Sequence, residues 1–270
     1  MATRDRIQEE EPSKMEEGGL IIKCDTDFLS SKAFVNLLQK VVAELVGTYF
    51  VIFAGCGSVA VNKIYGNVTF PGICVTWGLI VMVMIYTVGH VSGAHFNPAV
   101  TIAFSIYGRF SWKEVPWYIA AQLLGSTLAS GTLSLMFDVA PEDYFGTLPV
   151  GSDRQSLVIE IVISCLLMFV VSAVGTDSRA NANLGGLVIG MTITLNVFVA
   201  GPISGASMNP ARSFGPAIVK HVFKGLWIYI IGPIVGTVLG ATVYNLIRST
   251  DKSFPELFQK DTFLHCVSKK

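Results

Sequence analysis

Six stretches of this chain are apolar for about the length a helix needs to cross a lipid bilayer, and most ways of folding a chain are thereby closed to it. A hydrocarbon core about 30 Å thick takes about 20 residues of helix, and the stretches fall at roughly 41–61, 72–89, 116–137, 157–174, 184–200 and 226–247. Lipid offers no hydrogen-bond partners, so each such stretch must pair its own backbone as a helix. Composition agrees: 51% of residues are hydrophobic and 14% charged, against about 25% charged in soluble domains. The formal net charge is zero, which gives no hint of a nucleic-acid or polyacidic partner. Cys24, Cys56, Cys74, Cys165 and Cys266 show no CxxC spacing, so no disulfide framework, metal site or cofactor is expected. Residues 1–32 are polar and carry Glu9, Glu10, Glu11, Glu16 and Glu17. With no basic start and apolar core of a signal peptide, they read as a disordered tail, the first span serving as insertion signal.

Two further apolar segments, 97–107 and 209–219, are about half a span long. Short segments of this kind fit re-entrant helices whose ends face protein or water. They belong to an internal repeat. Residues 92–99 read Ser-Gly-Ala-His-Phe-Asn-Pro-Ala, and 204–211 read Ser-Gly-Ala-Ser-Met-Asn-Pro-Ala. Glu44 and Glu160 stand early in the first and fourth spans in the same way. The expected domain is therefore 33–250, built of halves at about 33–137 and 150–248, followed by a polar C-terminal tail at 251–270. Three spans per half is an odd number, so the second half enters the membrane inverted. Inverted repeats place their working site at the midplane, between broken helices. The Lys/Arg bias sets Lys32, Lys40, Arg109, Lys113, Arg179, Arg248 and Lys252 on the side of both termini, against Lys63, Arg154, Lys220 and Lys224. That puts both termini in the cytoplasm.

Asn-Pro-Ala carries the chemistry. Asparagine is a favoured N-cap, and proline is at home in a helix's first turn. Asn97-Pro98-Ala99 and Asn209-Pro210-Ala211 therefore both start helices, and inversion brings the two starts together near the midplane. Each start carries about half a positive charge. Two of them about 5 Å from a cation repel it by about 3 kcal/mol at an effective dielectric of about 20. Neutral molecules feel no such barrier. The asparagine amides donate to a passing oxygen, and a water that accepts from both interrupts proton hopping. One Asn-Pro-Ala is as readily the cap of a buried helix, but two in an inverted repeat are not.

The paired Asn-Pro-Ala motifs with the trailing Arg212, over about 41–251, resemble the major intrinsic proteins, the aquaporin and glycerol-facilitator superfamily. Gly47-Thr48-Tyr49-Phe50, Ile52-Phe53-Ala54-Gly55-Cys56, the stretch from Gly93 to Phe104 and Tyr244-Asn245-Leu246-Ile247-Arg248 are similar to plant nodulin-26-like intrinsic proteins. The resemblance implies an all-α membrane fold of six transmembrane helices plus two re-entrant half-helices in an inverted repeat, assembled as a homotetramer with one pore per subunit. It also implies a four-residue filter at Trp77, Val197, Ala206 and Arg212. Arginine is permanently charged with five donors and is expensive deep in an apolar chain. Trp77 is either filter or interfacial anchor. Water-selective relatives are implied to carry histidine where Val197 stands. Valine there, with the small Ala206, leaves a wider and greasier aperture suited to glycerol. The set resembles the first nodulin-26-like subgroup, which implies a channel for water and small uncharged solutes such as glycerol, in the plasma membrane or another plant cell membrane. A phosphorylated residue in the C-terminal tail is implied too, and Thr262 falls nearest.

Rival readings remain at this level. Glu44 and Glu160 are either proton-coupling carboxylates of a transporter or, the favoured reading, acceptors for unwound backbone ahead of each half-helix. His90 and His95 either line the mouth or satisfy loop carbonyls. An ion channel would show rings of carbonyls or acids, and an enzyme a nucleophile–base pair, which the sequence does not offer.

Overall fold

The computed structural model describes residues 32–137, 144–177, 179–180 and 182–248. The tails expected at 1–32 and 251–270 lie outside them, Thr262 included, except that Lys32 opens the first helix. Among the described residues the chain is all α, with one short 3-10 turn at Ala182–Leu184. The first half supplies α1 (Lys32–Tyr65), α2 (Thr69–Ser92), α3 (Pro98–Ile106) and α4 (Val115–Met136). The second supplies α5 (Asp153–Thr176), α6 (Gly185–Ser204), α7 (Pro210–Lys220) and α8 (Ile228–Ile247). Six are long and apolar enough to cross a membrane. The other two, α3 with 9 residues and α7 with 11, reach about 14–17 Å at 1.5 Å per residue, half a bilayer core.

The first span is longer than its apolar run. Helix α1 has 34 residues because Lys32–Lys40 lacks a breaker and continues the helix past the apolar part. At the other extreme α6 carries Pro202 in its last turn and stops on Gly205, whose φ of 80° is left-handed. Helix α2 stops in the same way on Gly93, φ 89°. Glycine adopts this conformation without a Cβ clash, and both stops fall immediately before the unwound approach to a half-helix.

The exterior, unlike that of a soluble protein, is apolar, while the interior holds polar groups beside a hydrophobic core. Leu79, Val83 and Tyr86 form an exposed apolar stripe on α2, and Leu195 and Val199 another on α6. Glu44, Thr48, Gln122, Ser126, Ser130, Ser156, Glu160 and Thr237 are fully or almost fully buried. An apolar outside, with polar groups buried beside an apolar core, suits a hydrocarbon solvent, where buried polar groups depend on protein partners.

Packing interlocks the halves. Within each half the first helix lies along the third, α1 on α4 and α5 on α8. Between halves, α2 packs on α6, α4 on α7 and α3 on α8. So each half-helix leans on the third helix of the opposite half. The α2–α6 crossing is close because both contact residues are glycines. A Cβ on Gly78 would lie 2.4 Å from the Gly190 carbonyl oxygen, and one on Gly190 would lie 2.6 Å from that of Gly78.

Candidate functional site

Each half-helix is approached by a short strained segment. Ala94 and Phe96 in one, and Ala206 and Met208 in the other, have φ between 49° and 54°, a region that costs non-glycine residues about 1–3 kcal/mol each. One carboxylate offsets the strain in each case. Glu44 accepts from the backbone N–H of His95 (2.9 Å) and Phe96 (2.7 Å) and from Ser92 Oγ (2.7 Å). Glu160 accepts from the N–H of Ser207 and Met208, both at 2.8 Å, and from Ser204 Oγ (2.6 Å). The two serines also accept from the N–H of Ala94 and Ala206. Charge-assisted bonds of this kind hold an irregular backbone that no helix or sheet ladder would.

These segments deliver the half-helices tip to tip. Asn97 Oδ1 caps α3 by accepting from Ala99 N–H, and Asn209 Oδ1 caps α7 by accepting from Ala211 N–H, both at 2.9 Å. Pro98 and Pro210 take the first helical position behind the caps. The amides then cross over. Asn97 Nδ2 donates to the Met208 carbonyl and Asn209 Nδ2 to the Phe96 carbonyl, each at 2.8 Å. Each asparagine thus bonds the residue preceding the other, and two electropositive helix ends meet head-on.

Four hydroxyls from the spans hold the tips and the helix ends that lead into them. Ser126 on α4 donates to the Ala211 carbonyl, and Thr237 on α8 to the Ala99 carbonyl. Tyr118 and Tyr229 donate to the carbonyls of Ser92 and Ser204. None of these four emerged from the sequence reading, although the signal is there. Tyr118 is followed at seven and eight residues by Gly125-Ser126, and Tyr229 at the same intervals by Gly236-Thr237. The repeat therefore extends into the third spans, too sparsely to stand out beside six identities in eight. Gln122 bonds Glu44 and Thr101, and the second half has Pro233 at the matching place. The internal symmetry is broken there.

Trp77, Val197, Ala206 and Arg212 come from four different places: α2, α6, the approach to α7, and the first turn of α7. All four are buried, the first three within one apolar cluster. Arg212 extends toward Trp77, its guanidinium carbon 4.8 Å from the ring centroid, a cation–π distance. Its Nη1 lies 3.9 Å from Cys56 Sγ, a pairing that no spacing in the sequence marks. Its Nε has no hydrogen-bond partner among the described residues. The Trp77 indole occupies space left by Gly55, where a Cβ would come within 2.5 Å of three ring atoms.

Below the first tip, His95 sits among aromatic rings. Phe110, Phe104 and Tyr118 have centroids 4.8, 5.0 and 5.2 Å from its own, and Nδ1 is 3.0 Å from Thr101 Oγ1. His90 lies apart from this group, in the last turn of α2.

A family model described as "Major intrinsic protein" matches residues 30–244. The chain is 71% identical over 261 residues to a "Probable aquaporin NIP-type" of Nicotiana alata, covering 95% of this chain and 97% of that one. It is 58% identical over 270 residues to "Probable aquaporin NIP4-2" of Arabidopsis thaliana, covering 98% and 95% of the two chains. "Aquaporin NIP1-1" of Zea mays is 54% identical over 256 residues, with 94% and 91% covered. Among solved structures, the aquaglyceroporin from Plasmodium falciparum has a similar fold, with a TM-score of 0.70 at 24% identity over 77% of this chain and 95% of that one. Inverted halves, facing half-helices and matching sequence converge: the chain belongs to the major intrinsic protein family, in its plant nodulin-26-like group.

Proposed function

We propose that this chain forms a passive pore for water and small uncharged solutes such as glycerol, and that it holds back ions and protons. The observation that carries the reading is the reciprocal bonding of the tips, Asn97 to Met208 and Asn209 to Phe96. A cation at that point meets two helix N-termini and loses hydration, whereas a neutral solute does not. Each asparagine amide has two N–H groups. One is used in the crossed bond, and the other is offered to a passing oxygen. A water accepting from both sides has its protons turned away from the tips, which breaks the proton wire.

Trp77, Val197, Ala206 and Arg212 form the proposed selectivity filter. Arg212 gives hydrogen bonds and repels cations, while Trp77, Val197 and Ala206 leave a greasy wall for the carbons of glycerol. Glu44 and Glu160 are structural in this reading, because their oxygens already accept from backbone and side chains. That argues against their cycling protons in an ion-coupled transporter. The proposed assembly is a homotetramer with both termini in the cytoplasm, in the plasma membrane or another plant cell membrane.

Stopped-flow permeability of proteoliposomes to water, glycerol, urea and lactic acid tests the pore. We expect fluxes linear in gradient, with no proton movement in pH-clamped vesicles. A substantial ionic current through the purified protein in a planar bilayer would sink the proposal. Val197→His with Ala206→Cys should lower glycerol flux relative to water, and an unchanged ratio removes those two positions from the filter.

A further inference from the structure

The residue before Val197 is an asparagine buried within an apolar helix. Asn196 stands in α6 and is only 3% exposed. A polar side chain at that depth is costly unless it is bonded, and inside a membrane span it calls for a function. Its Nδ2 donates to the Ile163 carbonyl on α5 (2.9 Å) and to Met208 Sδ (3.1 Å). A carbonyl only accepts, which fixes the nitrogen on that side of the amide, and both of its N–H groups are then spent. Asn196 therefore ties α5, α6 and the approach to α7 together at one corner.

The inverted repeat shows what is unusual about this corner. Its counterparts in the first half are Gly47 on α1, Met84 on α2 and Phe96 on the approach to α3, as the matching of Glu44, Ser92 and Asn97 to Glu160, Ser204 and Asn209 places them. There a ring closes the corner: Phe96 fills the space left by Gly47, where a Cβ would overlap it. The second corner carries an amide instead. Apolar contact is non-directional, whereas a hydrogen bond sets distance and angle. A wall that must keep one spacing is held more strictly by the bond.

The second corner is also the one beside the proposed filter. Val197 follows Asn196 in α6, and Ala206 stands two residues before Met208. Both are buried in the same apolar cluster as Ile163 and Met208. The Asn196–Met208 bond thus joins two segments that carry filter residues. The Met208 backbone is fixed as well, its N–H by Glu160 and its carbonyl by Asn97, so a tie to its side chain is a tie to the tip. We infer that Asn196 is a positioning residue of the filter: through Met208 it fixes the spacing between Val197 and Ala206, and with it the largest solute that passes. This rests on the filter reading above.

Asn196→Leu keeps the branched shape and removes both bonds. With the wall untied the aperture is free to widen. In proteoliposomes the erythritol-to-glycerol permeability ratio should rise about two- to fivefold, the lower part of the range for one neutral hydrogen bond. Met208→Leu conserves volume and removes the sulfur, and it should raise the ratio too. The double variant should go no further than Asn196→Leu, because the same bond is already gone. A parental ratio in Asn196→Leu overturns the inference, and so does a rise that Met208→Leu does not share or full additivity of the two. An asparagine that only stabilises the fold would lower the thermal midpoint and leave the ratio alone. Val197→Ala, which widens the wall directly, separates two failures. If it raises the ratio and Asn196→Leu does not, the filter stands and the Asn196 tie falls. If neither raises it, the filter reading itself is at fault.

Discussion

Glu44 and Glu160 show how a charged residue is kept inside a membrane protein: each carboxylate is surrounded by donors that have nowhere else to bond. Replacing Glu160 by Gln keeps the shape but turns one oxygen into a donor facing another donor, either Met208 N–H or the Ser204–Ser207 pair. A charge-assisted bond is worth about 1.5–3 kcal/mol. At about 2–4 °C per kcal/mol for a chain of this size, Glu160→Gln should lower the thermal midpoint in detergent by about 5 °C or more. An unshifted midpoint would mean the carboxylate does not hold the loop. Gly55 makes the complementary point about space. A methyl group there overlaps the Trp77 ring, and the indole must move toward Arg212 or the helix must shift. Gly55→Ala should therefore cut glycerol permeability severalfold more than water permeability in the same vesicles. Equal losses would detach Trp77 from selectivity. The glutamates and Arg212 were legible as sequence because a charge in an apolar run demands a cause. Gly55 and Cys56 were not, since a small or apolar residue looks ordinary until its neighbours from distant segments are known.

At the scale of elements, helix identity was readable and helix ends were less so. The apolar runs marked six spans because about twenty residues with at most one charge have few other uses, and Asn-Pro-Ala marked the half-helix starts through cap chemistry. The first turns of α1, where Lys, Asn and Gln interrupt the apolar residues, were missed because hydropathy reports the membrane's thickness and says nothing of where a helix stops outside it. Another feature invisible in sequence ties helix ends together outside the membrane. Asp177, one residue past α5, accepts from Arg179 (2.7 Å) and from Tyr244 on α8 (3.0 Å), with Arg248 Nε at 3.4 Å. The Arg179 hydrogen bonds hold its carboxyl well below the usual carboxylate range. A depressed folded value means stability that is present above the unfolded carboxylate's value of about 3.9 and lost as pH falls below it. The thermal midpoint should thus show no contribution from Asp177 to its pH dependence between about pH 7 and 5. Below about pH 4 the gap between the parent and Asp177→Asn should close. A gap that stays constant into that range would show that the carboxylate's charge is not what joins the two helices.

The whole molecule depends on both halves at once, and this is where the inverted repeat becomes more than a pattern. Neither half-helix is supported by its own half alone: α3 packs on α8 and α7 on α4. The hydroxyls that fix the tips follow the same exchange, Thr237 to Ala99 and Ser126 to Ala211, and so do the two asparagine amides. A half expressed alone would leave its Asn-Pro-Ala tip without a facing carbonyl and its half-helix without a wall, so it should build no pore. Cutting the connection between Phe137 and Tyr144 while keeping all eight helices removes no bond of this exchange. Co-expressed halves should therefore reassociate and restore a measurable fraction of the parent's water permeability, whereas either half alone should give the rate of empty vesicles. The cut adds an association step, and the α2–α6 glycine crossing with the two exchanged half-helices supplies the surface that drives it. Water permeability above background from a single half would mean that one half pairs with a copy of itself. The asymmetric residues, Gln122 against Pro233 and the lone Arg212 of the second half, would then be dispensable for the pore.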